Sequence, residues 1–185
     1  MGRNGDEAAE ASQLKAKGQL ARDGVKIIDR RFVDELSQRG YGVAGKKGLL
    51  LAFYEALYLV DRAMLEVVNE DSEAVDFRKL LQCYEKANEN AWVCYLVFRD
   101  LRSRGYVVRE GFGGGVDFRV YERGDYSKDT AKYLIVNVQE GKPIPVESLS
   151  RALTQSLSLK KELVLTVMNR RGEIVYYSVS ELSLK

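Results

Sequence analysis

The chain contains no histidine among its 185 residues, which excludes chemistry that uses imidazole as acid, base, nucleophile or metal ligand. Tyrosine, lysine, aspartate and glutamate remain as groups that could hold or move a proton. The two cysteines, Cys83 and Cys94, lie in apolar helical surroundings, which favours buried thiols over a disulfide. Two thiols without histidine cannot complete a zinc shell. We therefore expect no metal and no other cofactor.

Short basic and glycine-rich runs are the remaining candidate binding residues. Gly113–Gly115 resembles a phosphate-binding loop, but no P-loop lysine or helix start follows, so we interpret it as a turn between strands. The pairs Lys46–Lys47 and Lys160–Lys161 either contact phosphate or are solvated surface charges. With 29 basic and 27 acidic residues, the net charge of +2 gives no general signature of nucleic-acid binding. Any such contact must come from a local patch or from a partner chain.

The elements that position these residues follow from hydrophobic periodicity. Strands are predicted at residues 25–28, 49–51, 65–68, 106–108, 116–121, 133–138, 163–168 and 174–179. Helices are predicted at residues 30–39, at 54–61, over 73–104 with a break near 88–90, and at 146–157. The pattern indicates an α/β (α+β) fold with a small mixed N-terminal domain and a C-terminal domain built on a mixed central sheet.

Three segments are expected along the chain. Residues 1–24 are predicted to be a charged tail, in part disordered. Residues 25–104 form the N-terminal domain, which ends in helices, and residues 105–185 form the C-terminal domain. No apolar run is long enough to span a bilayer and the N-terminus carries no signal segment, so the chain is predicted to be cytoplasmic.

Five segments in order resemble tRNA-intron (RNA-splicing) endonucleases. They are residues 105–111, 115–121, 131–136, 160–165 and 172–177, and they are similar to the catalytic domain of that family. Residues 39–42 and 55–59 resemble the family's N-terminal domain. The resemblance covers all but the tail, and it implies a nuclease-like C-terminal domain.

The resemblance implies metal-independent cleavage of RNA at a bulge-helix-bulge. In the family, a tyrosine deprotonates the 2′-hydroxyl, a histidine protonates the leaving oxygen and a lysine stabilises the transition state. The products are a 2′,3′-cyclic phosphate and a 5′-hydroxyl. Tyr121 falls at the tyrosine position, Lys161 at the lysine position and Thr130 at the histidine position. A threonine hydroxyl cannot donate a proton near neutral pH, and loss of a general acid costs about a hundred- to ten-thousand-fold in rate.

The family's two base-stacking arginines are also replaced. The resemblance places the first near Thr154 and the second near Tyr176, so the guanidinium planes that stack on a bulged base are missing. The proton-donating histidine and the base-stacking arginines are lost together, which indicates a retained fold without activity of its own. The leading hypothesis is a non-catalytic, structural subunit of an archaeal-type heterotetramer, positioning a catalytic sibling.

The resemblance also implies how such a subunit meets its partners. The loop 139–145 and the last strand would contact the sibling, with the interface residues Glu140, Lys142, Pro143, Val175, Tyr176 and Tyr177. Precursor RNA would be contacted by Lys160, Lys161 and Lys132. No membrane contact is expected.

Two alternatives remain open. One is a catalytic chain, either one whose histidine was replaced by design or one that uses Tyr121 and Lys161 with another acid. Asp125 or Asp129 would be that acid, and its pKa would have to be strongly raised. The other is a module that binds structured RNA without cleaving it.

Overall fold

The computed structural model describes residues 15–122, 124, 126 and 131–182. Within these ranges the chain forms two mixed sheets and five helices, which confirms the predicted fold class. The helices are α1 (Arg30–Gln38), α2 (Phe53–Asp61), α3 (Phe77–Ala87), α4 (Ala91–Ser103) and α5 (Val146–Ser158). None of the helices in the described ranges is long and apolar enough to cross a membrane, and the cytoplasmic location stays a prediction.

The N-terminal sheet has six strands in the described part of the chain. They are β1 (Ala16–Ala21), β2 (Gly24–Ile27), β3 (Val43–Gly45), β4 (Gly48–Leu51), β5 (Leu65–Val68) and β6 (Ala74–Val75). Their order across the sheet is β3-β4-β2-β1-β5-β6, and within this sheet, as far as it is described, β1 and β5 are the one parallel pair. Because side chains alternate between faces, Val25, Ile27 and Leu49 are completely buried on the inner face, while Leu50 lies on the outer face.

Helix α1 shows how the sequence sets its limits. The Asp29 carboxylate accepts a hydrogen bond of 3.0 Å from the backbone amide of Arg31 at the start of the helix, as an N-cap residue does. At its end, Gly40 has a φ of 74° and the Tyr41 amide donates to the Leu36 carbonyl. This is the left-handed cap that glycine adopts without strain, and it ends the helix close to the predicted limit at residue 39.

The C-terminal sheet has five strands in the described part of the chain. They are β7 (Val107–Gly113), β8 (Val116–Tyr121), β9 (Tyr133–Gln139), β10 (Glu162–Met168) and β11 (Ile174–Val179). Their order is β11-β10-β9-β8-β7, with β9 and β10 parallel and joined through α5. The α5 side chains Leu149, Ala152 and Leu153 pack on one face of this sheet, and α4 packs against the other.

One hydrophobic core joins the two sheets. It extends from Val25 and Ile27 in β2 through α2 and α4 to Phe118 and Ile135 in the C-terminal sheet. The Tyr54 ring lies 4.9 Å from that of Phe98 and 5.1 Å from that of Phe118, a separation typical of favourable aromatic contacts. Since packing continues across residues 104 and 105, the domain boundary predicted there stays a prediction.

The predicted tail is wrong for residues 16–24. Residues 16–21 form β1, which lies between β2 and β5 in the N-terminal sheet. Its inner face carries Ala16 and Gly18, which are buried but too small to give a strong hydrophobic pattern. A side chain at Gly18 would collide with Val25, so the packing requires glycine here. The same glycine weakens the hydrophobic pattern by which a strand is predicted. Strands β3 and β6 were also not predicted, and they contain only three and two residues.

Candidate functional site

The structure brings Tyr121, Lys132 and Lys161 to the same end of the C-terminal sheet. Val120 pairs with Tyr133, and Tyr133 pairs with Glu162. The neighbours of these paired residues, Tyr121, Lys132 and Lys161, therefore lie in one row across the ends of β8, β9 and β10. The Lys132 amide donates to the Val120 carbonyl over 2.9 Å, and the Glu162 amide donates to the Lys132 carbonyl over 3.0 Å. The strands therefore place these residues together, while their roles in catalysis and RNA binding stay predictions.

Tyr121 is almost completely covered. Its exposed fraction is 2%, and its ring packs edge-on against that of Tyr126, with 5.3 Å between centroids. Tyr126 in turn lies close to Gly40, where an added Cβ would be 3.4 Å from the Tyr126 ring. A tyrosine that takes a proton from RNA must reach the ribose, whereas this ring is packed inside the chain.

The residues considered as proton donors lie outside the described ranges. Thr130, at the family's histidine position, is one of them, as are Asp125 and Asp129. Ala131, the residue after Thr130, is buried at 6% exposure and leads directly into β9. The roles considered for these three residues stay predictions.

Two of the three lysines predicted to bind RNA have partners within the chain. The Lys161 ammonium donates to the Ala131 carbonyl over 2.6 Å. The Lys132 ammonium lies 2.7 Å from the Glu122 carboxylate, and its hydrogen bond to Glu122 raises the pKa of this exposed lysine. Lys160 is exposed and has a φ of 54°, in the tight connection from α5 to β10. Each lysine remains a candidate phosphate contact, but Lys132 would have to exchange Glu122 for the phosphate.

The two positions of the family's stacking arginines are differently placed. Thr154 is exposed on α5, and its hydroxyl donates to the Ser150 carbonyl over 3.0 Å. Tyr176 on β11 is half-buried, and its hydroxyl donates to the Asp100 carboxylate over 2.6 Å. Burial and this acidic partner both raise the pKa of Tyr176. Its ring faces the core side of the sheet, where Arg104 lies 5.7 Å from the ring centroid.

The predicted interface residues divide into an exposed and an engaged group. Val175 and Tyr177 are 45% and 52% exposed on β11, an edge strand that pairs only with β10 among the described strands. In the loop before α5, the Glu140 carboxylate accepts a hydrogen bond from the Arg170 amide and the Lys142 ammonium lies 3.4 Å from the Asn90 side-chain oxygen. Pro143 is exposed. Tyr176 packs against the main core, as Ile174 of the same strand does, while Val175 and Tyr177 project from the opposite face of the strand.

A buried ion pair joins the two sheets, and sequence reasoning missed it. The Glu55 carboxylate, 2% exposed, accepts hydrogen bonds from the backbone amides of Gly42 and Ala52 at 3.1 and 2.9 Å. Arg109 of β7 lies 3.4 Å from it and also donates to the Gly40 carbonyl. Burial raises the pKa of Glu55, while Arg109 and the two amides oppose that rise. The two N-terminal segments that resemble the family, 39–42 and 55–59, therefore meet at this carboxylate.

A second polar cluster, formed by buried Thr166 and half-buried Asp117 and Asn137, lies under α4. The Asp117 carboxylate accepts a hydrogen bond of 2.7 Å from the Asn137 amide, and the Thr166 hydroxyl donates to the Asn137 side chain over 2.7 Å. Burial raises the pKa of Asp117, and the Asn137 amide opposes the rise. Burial also raises the pKa of the Cys94 thiol to about 11. Both cysteines are free thiols, Cys94 buried and Cys83 half-buried.

Comparison with known proteins identifies the family. Residues 16–81 match the family model "tRNA intron endonuclease, N-terminal domain" and residues 91–176 match "tRNA intron endonuclease, catalytic C-terminal domain". A tRNA-splicing endonuclease of Methanococcus vannielii is 31% identical over 165 residues, covering 89% of this chain and 93% of the relative. That of Pyrococcus furiosus is 32% identical over 161 residues, covering 86% of this chain and 92% of the relative. That of Methanothermobacter thermautotrophicus is 31% identical over 170 residues, covering 90% of this chain and 97% of the relative. The chain belongs to the tRNA intron endonuclease family.

Proposed function

We propose that this chain is a structural subunit of a tRNA-splicing endonuclease, and that it positions a catalytic sibling on precursor RNA with a bulge-helix-bulge. The observation that carries the proposal is the absence of histidine from a member of this family. Protonation of the leaving 5′-oxygen needs a donor that titrates near neutral pH. Thr130, at the position in question, has no such proton. The strand scission would therefore be done by the sibling.

The surroundings of Tyr121 and Lys161 support this division of labour. Tyr121 is packed against Tyr126, and the Lys161 ammonium is bound to the Ala131 carbonyl. Both groups are engaged in holding this end of the sheet together. A side chain that has lost its catalytic task is expected to keep only such packing and hydrogen-bonding roles.

The β11 edge supports assembly with another chain. An exposed, unpaired strand edge is a template for pairing with a further strand, and Val175 and Tyr177 add apolar surface beside it. The loop with Lys142 and Pro143 supplies a second contact, whose proline fixes its shape before binding. Two such chains and two catalytic siblings would give the heterotetramer.

A cleavage assay tests the proposal. The purified chain is incubated with a precursor tRNA that contains a bulge-helix-bulge, alone and together with a histidine-bearing sibling. We expect cleavage only in the mixture, and a mass for the assembled complex that includes both chains. Cleavage by this chain alone, at a rate comparable to the sibling's, would refute the proposal and favour the catalytic alternative.

A substitution asks whether only the acid is missing. Thr130→His restores imidazole at the family's position, with Thr154→His as a control on the exposed face of α5. We expect a gain well below the roughly hundredfold that a positioned general acid supplies, because the stacking arginines are absent and Tyr121 is covered. Full activity in the Thr130→His chain without a sibling would show that the remainder of the site is intact.

A further inference from the structure

The outer face of the N-terminal sheet is open and rich in lysine. Strand alternation places Lys17 of β1 and Lys26 of β2 on this face, since Gln19 pairs with Lys26 and Lys17 lies two residues from Gln19. The same row continues through Leu50 of β4, which pairs with Lys26. The core residues Val25 and Ile27 point to the opposite face.

Further cations surround these two lysines. A shallow depression of about 530 Å³ is lined by Lys15, Lys17, Lys26 and Arg31, together with Ile28. The turn between β3 and β4 adds the exposed side chains of Lys46 and Lys47. This turn lies beside Ile28, because Gly48 packs directly against the backbone of residues 27 and 28. We call this set the lysine face: Lys15, Lys17, Lys26, Arg31, Lys46 and Lys47.

The acidic groups nearby neutralise only part of this charge. The Glu66 carboxylate lies 3.8 Å from the Lys15 ammonium, with both groups well exposed. Asp29 and Glu70 also line the depression, and the Asp29 carboxylate is occupied as the N-cap of α1. Among the described residues, no ion pair involves Lys17, Lys26 or the two lysines of the turn. These four ammonium groups are therefore available to an anionic partner.

We propose that the lysine face binds the phosphate backbone of RNA. Protein–protein interfaces are depleted in lysine and depend on buried aromatic anchors, whereas this face has several lysines and, within the described residues, Phe32 as the one aromatic lining the depression. Arg31 covers the Phe32 ring at 4.8 Å. Lysines on flexible stems suit sequence-independent contacts with phosphates. The surface is separate from Lys132, Lys160 and Lys161, which belong to the other sheet.

The inference rests on the proposed RNA partner and is independent of which chain performs the cleavage. A structural subunit that contacts RNA through its N-terminal sheet would hold the substrate as well as the sibling. The net charge of +2 conceals this surface, since charges elsewhere on the chain balance it.

Charge reversal of the lysine face tests the proposal. The variant Lys17→Glu/Lys26→Glu/Lys47→Glu is compared with a control that makes the same charge change on α3, Arg78→Glu/Lys79→Glu/Lys86→Glu. Helix α3 packs against α2, and these three side chains are exposed. Binding of the full chain to a fluorescent bulge-helix-bulge RNA is measured by anisotropy between 50 and 200 mM salt.

We expect the lysine-face variant to bind about 10- to 100-fold more weakly, with a salt slope smaller by about 2 to 3, since each lost phosphate contact removes about 0.9. The α3 control should keep most of the native affinity. Thermal melting checks that the strand variant folds, and Lys46→Gln/Lys47→Gln, confined to the turn, gives a second and milder variant. That variant should weaken binding and reduce the slope by about 1 to 2.

Native affinity in the folded strand variant, or an equal loss in the α3 control, would overturn the proposal. The same variants are then mixed with the sibling in the cleavage assay. If the lysine-face variant binds RNA weakly but still assembles with the sibling, the proposal that this face binds RNA is supported, whatever the cleavage result. Cleavage by the native chain alone would refute its structural role while leaving the RNA-binding result unaffected.

Discussion

Replacing Glu55 should destabilise the whole chain, because its carboxylate is the junction of both sheets. In Glu55→Gln the shape is kept, but an amide nitrogen takes the place of one oxygen that accepts backbone hydrogen bonds at 2.9 to 3.1 Å. Arg109, whose side chain is only 14% exposed, also loses its counter-charge. A hydrogen bond to a charged group contributes about 1.5–3 kcal/mol, and breaking a buried ion pair costs about 3–5 kcal/mol.

We therefore expect Glu55→Gln to lower the free energy of unfolding by about 3 kcal/mol. For a chain of this length each kcal/mol shifts the melting temperature by about 2–4 °C, so a shift of about 6–12 °C should follow. Urea unfolding and thermal melting measure both. The matched control is Glu35→Gln, which removes an exposed pair with Arg39 at 3.4 Å and should cost less than about 0.5 kcal/mol.

A double-mutant cycle makes the reasoning more specific. Glu55→Gln and Arg109→Met are measured singly and together, and their coupling should be about 1–3 kcal/mol. If Glu55→Gln costs no more than Glu35→Gln, or if the coupling is absent, the buried pair does not stabilise the junction and the argument fails.

Three further predictions follow from groups already described. Because its pKa is raised in the fold, Asp117 stabilises the fold at low pH and this contribution is lost as the pH rises through the folded-state pKa. The stability of Asp117→Asn relative to the native chain should therefore increase in urea unfolding as the pH is raised from below the ordinary carboxyl pKa of 3.8 through the folded-state pKa, and a constant difference would contradict the assignment. A disulfide reagent should modify half-buried Cys83 well before buried Cys94, whose pKa is about 11; equal rates by mass spectrometry of the folded chain would show that Cys94 is accessible. Tyr177→Lys should weaken assembly with the sibling about tenfold or more, as loss of an interface aromatic does, whereas Val146→Lys, at a residue 77% exposed on α5, should not; equal masses of both complexes by light scattering would argue against the β11 interface.

The regular elements were largely predictable from the sequence, and the reason is the size of their inward-facing side chains. Strands β8, β9 and β10 carry Phe118, Ile135 and Leu163 on buried positions, which gives a clear period. Strand β1 presents Ala16 and Gly18 inward, so its period is weak although its backbone pairs on both sides. Local pattern cannot recognise a strand whose burial is imposed by neighbours far along the chain.

The candidate site residues were assigned from the sequence by resemblance, and their roles stay predictions. The strand register brings Tyr121 and Lys161 to one end of the C-terminal sheet. The cover of Tyr126 over Tyr121 and the bond from Lys161 to the Ala131 carbonyl depend on a connection without periodicity. The pair of Glu55 with Arg109 joins residues 54 positions apart, and nothing in either segment alone indicates the other.

The aromatic packing around α4 has a mechanical consequence. Tyr54, Phe98 and Phe118 pack α4 between both sheets, so a hinge motion at this point would have to separate these rings. Separating the sheets would expose these rings to water, at about 25 cal/mol for each Å² of apolar surface. This packing favours a fixed distance and angle between the N-terminal sheet and β11, which is what a rigid spacer between two bound partners requires.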